Sequence, residues 1–550
     1  MSYFLWLSDT HYDPYYGTNC AFSSGYYGGV FCNDTTDWPF GQHGCDSPAA
    51  LVKDALDFAR EVATQPEFVV VSGDLVRHGV DKLFACDDEE FREGGEGHDD
   101  ASVIEAAHAD FHPKAMEKAA EVAGGLIEMI ATAFPETEVI LSLGNNDVVP
   151  VSGLLAIAPR KAYPTLSNKP SKDYYLELPE DGEQDAGGML GLLHGSLNTT
   201  NSTSAKPALD HNDRPTFLRG GYYLREVHGD RVVILCLNTI LYSSNFLPQP
   251  EHVEDPGSQF DWMEKILASC QKEGKKAILV GHIPPSLGSF RHSQLWKEMY
   301  IHKYYEIVSQ YDNVVIGQLF GHLHSSEFRI GTAGVDGMIP PLSTPILLGP
   351  SITPLHGNNP AFHVVKLGDV PGGDTRLLDI DTYSVVSNDF TKGWAKLHTF
   401  SETYKVASSI MEKEGLSGDA FRAILKSMKD TLTLESSFLK RYRSYMLSGA
   451  GDDGLGRGMK SECNRSCRIR SLCTMEAATS FGYESCLSAE TMSDGGGAMV
   501  LGAAAGGVIC FFGLVAVILR RRRRQRQECY SAAVSVDEEV MGKDDEDEIT

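Results

Sequence analysis

Short apolar or β-branched runs alternate with longer stretches of helical periodicity through residue 320, and this alternation limits the folds that the chain can adopt. The strand-like runs are 3–8, 67–72, 138–143, 232–237, 277–281 and 313–320. Helical spacing is found at 103–133, 258–272 and 297–310, and Ser47 followed by Pro48 is typical of an N-cap and a first helical position. Strands that alternate with helices predict a layered α/β sandwich.

Side chains that bind metals follow five of these six runs, each time at the carboxyl end of the run. They are Asp9, His11, Asp74, His78, Asn145, His282, His322 and His324. Taken singly, each motif also fits an ordinary loop turn, and Asp74 fits a helix N-cap. Open α/β sheets bind ligands at the carboxyl ends of their strands, so the recurrence indicates that these groups converge. Two divalent metals bridged by one carboxylate need such a mixture of carboxylate, amide and imidazole, which predicts a two-metal site.

Composition places the chain among globular proteins and narrows its partners. Of the 550 residues, 42% are hydrophobic and 22% are charged. The formal net charge of -27 argues against a nucleic-acid surface, because a phosphate backbone requires a basic face. We therefore expect no nucleic acid among the partners, and we expect metal ions to attract any anionic, phosphate-containing substrate.

Residues 497–519 form an uncharged, mostly apolar run, and an arginine cluster follows at 520–526. A run of that length predicts a transmembrane helix with its basic flank on the cytoplasmic side. A buried core helix is the alternative. The prediction is a single-pass membrane protein that binds the bilayer through this helix. Its large amino-terminal part is then lumenal, in a vacuole or lysosome, or extracellular, and its tail over 520–550 is cytoplasmic.

Glycosylation sequons and clustered cysteines agree with an oxidising compartment. N-x-S/T sequons begin at Asn33, Asn198, Asn201 and Asn464. Cysteines cluster near both ends, at Cys20, Cys32 and Cys45 and at Cys463, Cys467, Cys473 and Cys486. These cysteines predict disulfides, although a zinc cluster is an alternative for the last four. Cys236, inside an apolar run, is expected to be a buried free thiol.

The amino-terminal residues conflict with export. Met1 is followed almost directly by a strand-like run, without a basic region or a cleavage site. A tail-anchored protein needs no such signal, but it would leave the large domain in the cytosol. We therefore expect the true N-terminus to be longer than this sequence.

The order D-x-H, G-D-x-x-x-H, G-N-x-D, G-H and G-H-x-H resembles the calcineurin-like metallophosphoesterases. It is more similar to the branch that contains the acid sphingomyelinase-like phosphodiesterases and the vacuolar endopolyphosphatases. The likeness covers most of residues 3–486 and includes DTHYDPYYG, CDSP, LNTILY, QFDWMEKIL, GPSITP, NNPAF and the cysteine-rich ending. It implies a four-layer α/β/β/α sandwich over 1–400 and a helical, disulfide-containing module over 401–490. The transmembrane helix and the tail lie outside it.

The resemblance also implies which residues hold the metals and which cysteines pair. It assigns Asp9, His11, Asp74 and His324 to one metal, and it assigns Asn145, His282 and His322, with Asp74 as the bridge, to the second. Zinc is the first choice for both ions, and manganese and iron are the alternatives. The implied disulfides are Cys20–Cys45, Cys463–Cys467 and Cys473–Cys486. Cys32 and Cys86 are left over as a further candidate pair.

Two further residues are predicted to be catalytic, His78 and Asn146. His78 matches a histidine that faces the phosphate in the family, and the alternative is that it orients Asp74. In the sphingomyelinase-like members the turn reads G-N-H-D or G-N-H-E, and Asn146 stands where the histidine is expected. An amide donates a hydrogen bond but delivers no proton, and general-acid help is worth roughly 10²–10⁴ in rate.

A phosphoanhydride has a good leaving group and needs this help least. The leading hypothesis is therefore a dinuclear-metal phosphohydrolase that cleaves polyphosphate, and nucleotides second, through in-line attack of a metal-bridging hydroxide. Arg77, Arg160 and Lys161 are candidates to hold additional phosphates. The alternative is an acid sphingomyelinase-like phosphodiesterase in which His78 or a water serves as the acid. A third hypothesis, a receptor or adhesion module on an inactive scaffold, would require lost metal ligands, and no ligand is missing.

Overall fold

The protein is described by a computed structural model that covers residues 2–18, 32, 36–79, 101–148, 174–176, 178, 188–198, 206–247, 253–331, 339–387, 389–431, 437–450 and 464–492. The chain forms two compact units, Met1–Ser488 and Ala489–Thr550. Only 489–492 of the second unit are described. The predicted boundaries at residues 400 and 490 remain predictions.

The strands are β1 (Ser2–Leu7), β2 (Tyr12–Asp13), β3 (Ser47–Pro48), β4 (Phe68–Ser72), β5 (Glu138–Ser142), β6 (Tyr174–Tyr175), β7 (Tyr223–Val227), β8 (Val232–Cys236), β9 (Phe246–Leu247), β10 (Lys276–Val280), β11 (Val315–Phe320), β12 (Glu327–Arg329), β13 (Ile346–Leu348), β14 (Ala361–Asp369), β15 (Thr375–Val385) and β16 (Trp394–Thr399). The helices are α1 (Ala49–Val62), α2 (Ala101–Ala133), α3 (Met189–Leu197), α4 (Arg214–Gly220), α5 (Gln259–Glu273), α6 (Glu298–Gln310), α7 (Phe400–Thr403), α8 (Ser408–Glu414), α9 (Gly418–Asp430), α10 (Ser437–Met446), α11 (Arg465–Glu476) and α12 (Ser480–Met492). All six predicted strands are present, as are the three helices predicted from spacing.

Two six-stranded sheets form the centre of the unit. The first has the order β16-β15-β14-β1-β4-β5, and the second has the order β12-β13-β11-β10-β8-β7. In each sheet the strands that lead into the predicted ligands are parallel neighbours: β1 with β4 and β4 with β5 in the first, and β10 with β11 in the second. Strand β8, which leads into no predicted ligand, pairs with β10 in parallel as well. The carboxyl ends of these parallel strands therefore share one edge.

The sheets pack face to face, and helices cover their outer faces. The Tyr223 hydroxyl in β7 donates to the carbonyl of Leu141 in β5 at 3.0 Å. Gly317 in β11 lies so close to β15 that an added Cβ would come within 2.6 Å of Leu377 Cδ1. Helix α2 packs near β5, and α5 packs near β10. This is the layered α/β arrangement predicted from the alternation of strands and helices.

The first helix begins differently from the prediction. Ser47 is not its N-cap, because Ser47 and Pro48 form the short strand β3, which pairs with Tyr12 and Asp13 of β2. Pro48 is the N-cap residue, and no side chain caps the helix there. The backbone of Ser47 is thus engaged in strand pairing, which delays the helix by one residue.

The predicted transmembrane helix requires a correction to the fold class and to the single-pass localisation. Within the described ranges, no helix is long and apolar enough to cross a membrane. The predicted span 497–519 and the tail 520–550 lie outside those ranges. Over the described ranges the fold is the α/β sandwich and its carboxyl-terminal helices.

The disulfides follow the resemblance at one end of the chain and depart from it at the other. Cys473 pairs with Cys486, as implied. Cys45 pairs with Cys32, so the implied Cys20–Cys45 bond and the candidate Cys32–Cys86 bond are wrong. The Cα atoms of Cys32 and Cys45 lie 5.8 Å apart, within the reach of a disulfide.

The remaining cysteines differ in what the structure describes. Cys467 is also disulfide-bonded, whereas Cys20, Cys86 and Cys463 lie outside the described residues. Cys236 is a buried free thiol, as expected, and disulfides of this kind are typical of oxidising compartments.

A cavity of about 40 Å³ lies between the first sheet and the carboxyl-terminal helices, and two histidines line it. Burial lowers the pKa of His363, on β14, to about 3. Burial likewise lowers the pKa of His398, on β16, to about 4. Glu327 and Tyr442 also face this cavity. Both histidines therefore stay neutral in the folded chain under conditions that protonate them in the unfolded chain.

The stability of the fold should fall in acid because of these histidines. An unfolded histidine titrates near pH 6.5, so this stabilisation is present above that pH and is lost as pH falls toward about 4 and about 3. At pH 5, His363 alone should cost about 2 kcal/mol of unfolding free energy relative to pH 7. Between pH 7 and pH 5, the unfolding free energy of His363→Gln should therefore fall by about 2 kcal/mol less than that of the unchanged protein. Urea unfolding at the two pH values measures the difference. His302→Gln, at a partly exposed position of α6, serves as the control, and an equal pH effect in His363→Gln would contradict the assignment.

Candidate metal centre

The predicted ligands lie at the shared edge of the two sheets, and their backbone is unusual there. Asp9, His11, Asp74, His322 and His324 all have positive φ angles, between 43° and 76°. Residues other than glycine seldom adopt this left-handed region, which costs on the order of 1–3 kcal/mol per residue. Such strain is typical of functional sites, because the surrounding structure must hold it in place.

Four side chains form a first group of candidate ligands. Ligand atoms of Asp9, His11, Asp74 and His324 lie within 4.8 Å of one another, and all four residues are buried. Nε2 of His11 lies 3.1 Å from Nε2 of His324 and 3.3 Å from Oδ2 of Asp74. Nε2 of His324 lies 3.3 Å from Oδ1 of Asp9.

A second group shares Asp74 with the first. Ligand atoms of Asp74, His282 and His322 also lie within 4.8 Å of one another. Nε2 of His282 lies 3.2 Å from Oδ2 of Asp74 and 3.2 Å from Oδ1 of Asn145. The structure thus brings together all seven predicted ligands, with Asp74 in both groups. Their role as ligands remains a proposal.

Two imidazoles of this site direct their Nδ1 hydrogens away from its centre. Nδ1 of His11 lies 3.1 Å from the carbonyl oxygen of Val76, and Nδ1 of His282 lies 2.8 Å from that of Ser72. A carbonyl only accepts, so each Nδ1 carries a hydrogen, and each ring, when neutral, directs the lone pair of Nε2 toward Asp74. Nε2 of His282 faces oxygens of both Asp74 and Asn145. Imidazole nitrogens that converge with carboxylate and amide oxygens fit a divalent cation, and this set of ligand atoms suits zinc, manganese or iron.

The charge distribution of the buried groups agrees with this fit. Burial raises the pKa of Asp9 to about 6. Burial lowers the pKa of His11 and of His282, but the carboxylate of Asp74 outweighs it and raises both values to about 9. Although burial raises the pKa of Asp74, His282 and His11 hold it well below its ordinary value. Asp74 thus attracts positive charge, which protons or metal ions can supply.

A chain of hydrogen bonds orients Asp9. Nε1 of Trp6 donates to Oγ of Ser72 at 2.9 Å, and Oγ of Ser72 donates to Oγ of Ser8 at 2.8 Å. Ser8 donates its single hydroxyl hydrogen to Oδ2 of Asp9, so it can only accept from Ser72, and this sets the direction of the chain. The backbone N–H of His322 also donates to both oxygens of Asp9, at 3.0 Å each.

The buried carboxylate of Asp147 joins two ligand loops. It accepts hydrogen bonds from the backbone N–H groups of Gly144 at 2.7 Å, Leu75 at 2.7 Å and Val76 at 3.0 Å. Burial and then the charge of Asp74 raise the pKa of Asp147 to about 7. The sequence predicted no role for Asp147, which is the last residue of the G-N-x-D motif. The structure shows that its carboxylate holds the two loops together.

The two residues predicted to be catalytic are placed differently. The amide of Asn146 is turned toward Asp74: its backbone N–H donates to Oδ1 at 2.8 Å, and Nδ2 donates to Oδ2 at 2.9 Å. His78 stacks on His11 with 4.0 Å between ring centroids. Its side chain is 21% exposed, and its Nδ1 lies 3.0 Å from Oδ1 of Asp46.

Asp46 and His356 were missed as site residues. Asp46 belongs to the CDSP motif, whose recurrence in the family was the available signal. The His356 ring lies 4.3 Å from that of His324 and 6.2 Å from that of His78, measured between centroids. Its sequence, LHGNNP, carries no recognisable ligand spacing, so only the fold brings it to the site.

Of the basic residues predicted to hold phosphates, Arg77 is described, and it does not face the site. Arg77 is buried beside Asp13, with Nη1 3.0 Å from the carboxylate and both side chains 3% exposed, so it is committed to that ion pair. Arg160 and Lys161 lie outside the described residues. Among the sequons, Asn198 and Asn464 are exposed, whereas Asn33 and Asn201 lie outside the described residues. Glycosylation at these positions stays a prediction.

The chain matches known proteins over most of its length. The family described as Calcineurin-like phosphoesterase matches residues 3–326, which is more than half of the 550 residues. The acid sphingomyelinase-like phosphodiesterase 3b of Homo sapiens is 26% identical over 471 residues, covering 82% of each chain. The cyclic GMP-AMP phosphodiesterase SMPDL3A of Rattus norvegicus is 25% identical, covering 88% of this chain and 91% of its own. The sphingomyelinase phosphodiesterase D of Dictyostelium discoideum is 24% identical, covering 74% and 76%.

Glycine at position 144 should be required for metal binding. A Cβ there would lie 2.0 Å from the backbone nitrogen of Asp74 and 2.2 Å from its Oδ1. Gly144→Ala should therefore displace Asp74 and weaken metal binding, by roughly 10- to 100-fold if it acts as other displaced supporting groups do. Calorimetric titration with Zn²⁺ measures this. Gly195→Ala, in α3, is the control, since an added Cβ there meets nothing within 4 Å; equal affinities would show that the crowding is relieved without moving Asp74.

Proposed function

The chain belongs to the calcineurin-like phosphoesterase family, and on that premise we propose that it hydrolyses phosphodiesters at the two ligand groups that share Asp74. It is a metal-dependent phosphoester hydrolase, as its family and its phosphodiesterase relatives indicate. The identity of the metals is part of the proposal, with zinc first and manganese or iron next.

One observation carries the proposal: two groups of candidate ligand atoms share the buried carboxylate of Asp74. Oδ2 of Asp74 lies 3.3 Å from Nε2 of His11 and 3.2 Å from Nε2 of His282. Two bound ions would supply Lewis acidity toward the phosphoryl oxygens and activate water for attack. The residues of this chain hold the ligand atoms in position, through the backbone carbonyls of Val76 and Ser72 and through the hydrogen bonds to Asp9.

His78 is the proposed substrate-facing imidazole. One of its ring nitrogens lies within 4.8 Å of ligand nitrogens of both His11 and His324. It is partly exposed, so a substrate can reach it. A group at this place is suited to contact a phosphate oxygen or the leaving oxygen of a substrate bound at the first ligand group.

The geometry gives less support to a preference for phosphoanhydrides. That preference depended on the absence of a proton-donating histidine at position 146 and on Arg77 as a candidate to hold additional phosphates. The amide of Asn146 contacts Asp74, the guanidinium of Arg77 is buried against Asp13, and the relatives are named as phosphodiesterases. Polyphosphate is therefore the comparison substrate in the test below and not the proposed one.

The relatives suggest two kinds of phosphodiester. Acid sphingomyelinase-like and sphingomyelinase enzymes are named for a choline phospholipid, and the cyclic GMP-AMP phosphodiesterase for a cyclic dinucleotide. Both substrates contain a phosphorus atom with two ester oxygens and one negative charge. We propose this shared chemistry for the chain, and the assay separates the two sources.

The full chain, produced in an oxidising compartment and loaded with Zn²⁺ or Mn²⁺, should hydrolyse bis(p-nitrophenyl) phosphate faster than p-nitrophenyl phosphate. His282→Ala removes a group that faces both Asp74 and Asn145, so activity should fall on the order of 10²- to 10³-fold, since metal-supplied charge stabilisation is worth several kcal/mol. Sphingomyelin micelles and a cyclic dinucleotide, assayed in parallel, identify the natural class.

His302→Ala is the matched control, because His302 lies on the surface of α6 with its side chain 34% exposed. It should retain full activity and metal content. Cleavage of the monoester or of polyphosphate without cleavage of any diester would contradict the proposal. Diester cleavage that survives both His282→Ala and chelation would contradict the metal centre.

A further inference from the structure

Asp46 and His78 form a hydrogen-bonded pair at the border of the metal centre. The carboxylate of Asp46 accepts from the backbone N–H of His78 at 2.9 Å through Oδ2 and lies 3.0 Å from Nδ1 of the same residue through Oδ1. The carboxylate is 5% exposed. Burial raises its pKa, but the neighbouring His78, followed by His11 and Arg77, lowers it to about 2, so the carboxylate is ionised.

Several contacts hold Asp46 in place. The preceding residue, Cys45, is joined to Cys32 by a disulfide. The hydroxyl of Thr353 lies 3.3 Å from the carbonyl oxygen of Cys45 and 3.4 Å from Oδ1 of Asp46. The following residue, Ser47, donates its backbone N–H to the carbonyl of His11 at 3.1 Å. The backbone next to Asp46 is therefore hydrogen-bonded to the backbone of His11, a member of the first ligand group.

This contact determines how the His78 ring is presented. An ionised carboxylate only accepts, so Nδ1 of His78 carries a hydrogen and Nε2 is the nitrogen left for other partners. Stacking on His11 fixes the plane of the ring, and the His356 ring meets it nearly perpendicularly, at 74°. Two rings and one carboxylate thus restrict both the rotation of His78 and the choice of its tautomer.

The geometry points to Asp46 as the positioning residue of His78 during hydrolysis: it holds the ring so that Nε2 faces the substrate. The inference rests on the proposed function, since it assumes that His78 contacts the substrate. Among the described residues, the carboxylate of Asp46 forms its hydrogen bonds with His78 and Thr353, and none with the side chain of a candidate metal ligand. A positioning residue acts only through its partner, and that property separates it from a residue that merely stabilises the fold.

A double-mutant cycle of Asp46→Asn, His78→Gln and the double variant tests this property. An amide of the same shape tolerates the wrong tautomer, so Asp46→Asn should lower kcat roughly 10- to 100-fold, as loss of an orienting partner does, while KM changes little. In the His78→Gln background the same change should lower kcat no further, because there is no imidazole left to orient. Metal content and the urea midpoint are measured for each variant.

Asp381→Asn is the matched control, since Asp381 is a buried carboxylate on β15 that accepts from Thr399 away from the metal centre. It should leave kcat unchanged. Additive losses in the cycle, full activity of Asp46→Asn, or loss of bound metal from it would each overturn the inference. Metal loss from His78→Gln would likewise do so, because His78 would then be a ligand.

The cycle is measured on whichever phosphoester the metal-loaded protein cleaves, so failure on diesters overturns the proposed function and leaves this test intact. If His282→Ala abolishes diester cleavage while His78→Gln and Asp46→Asn do not change it, the proposed function stands and the inference fails. A metal-loaded protein that cleaves no phosphoester overturns both.

Discussion

The carboxylate of Asp74 is the group on which the metal centre depends. It faces His11 and His282 and accepts two hydrogen bonds from Asn146, although it is buried. A buried charge of this kind is expensive unless it is paired, so the imidazoles around it are part of the stability of this edge of the sandwich. Asp74 has a positive φ, and Gly144, which follows the neighbouring strand, approaches it closely.

The scaffold contributes rigid support more than chemistry. Parallel strands deliver the ligand loops to one edge, and backbone carbonyls, the Trp6–Ser72–Ser8 chain and Asp147 fix the orientation of the side chains there. A divalent ion needs its ligand atoms placed within a few tenths of an ångström, and such precision comes from supporting hydrogen bonds that are themselves held by packing. The disulfide at Cys45 extends this support to Asp46 and His78.

Three predictions met contacts that spacing along the chain did not indicate. Asn146 was predicted to be catalytic and Arg77 to be a candidate for holding phosphates, and both roles stay predictions. Asn146 hydrogen-bonds to Asp74, and Arg77 pairs with Asp13. The implied pairing of Cys45 with Cys20 is wrong, because Cys45 pairs with Cys32. In each case the outcome depends on which groups meet in space, and spacing along the chain does not carry that information. The span predicted from 497–519 falls outside the described residues, and no helix within them is long and apolar enough to cross a membrane.

The sequence by itself predicted six strands, three helices, the layered α/β class and a cluster of candidate ligands at the strand ends, because hydrophobic periodicity and strand-end motifs are local properties. The choice of seven ligands among them was implied by the family resemblance. Asp46, Asp147 and His356 became functional candidates only in the tertiary structure. Asp46 contacts His78, Asp147 contacts Leu75 and His356 contacts His324, and each of these pairs is 32 or more positions apart. The sequence could not reveal these contacts, because a side chain bonds to the nearest suitable partner in space. Which partner is nearest depends on how the two sheets and their loops come together.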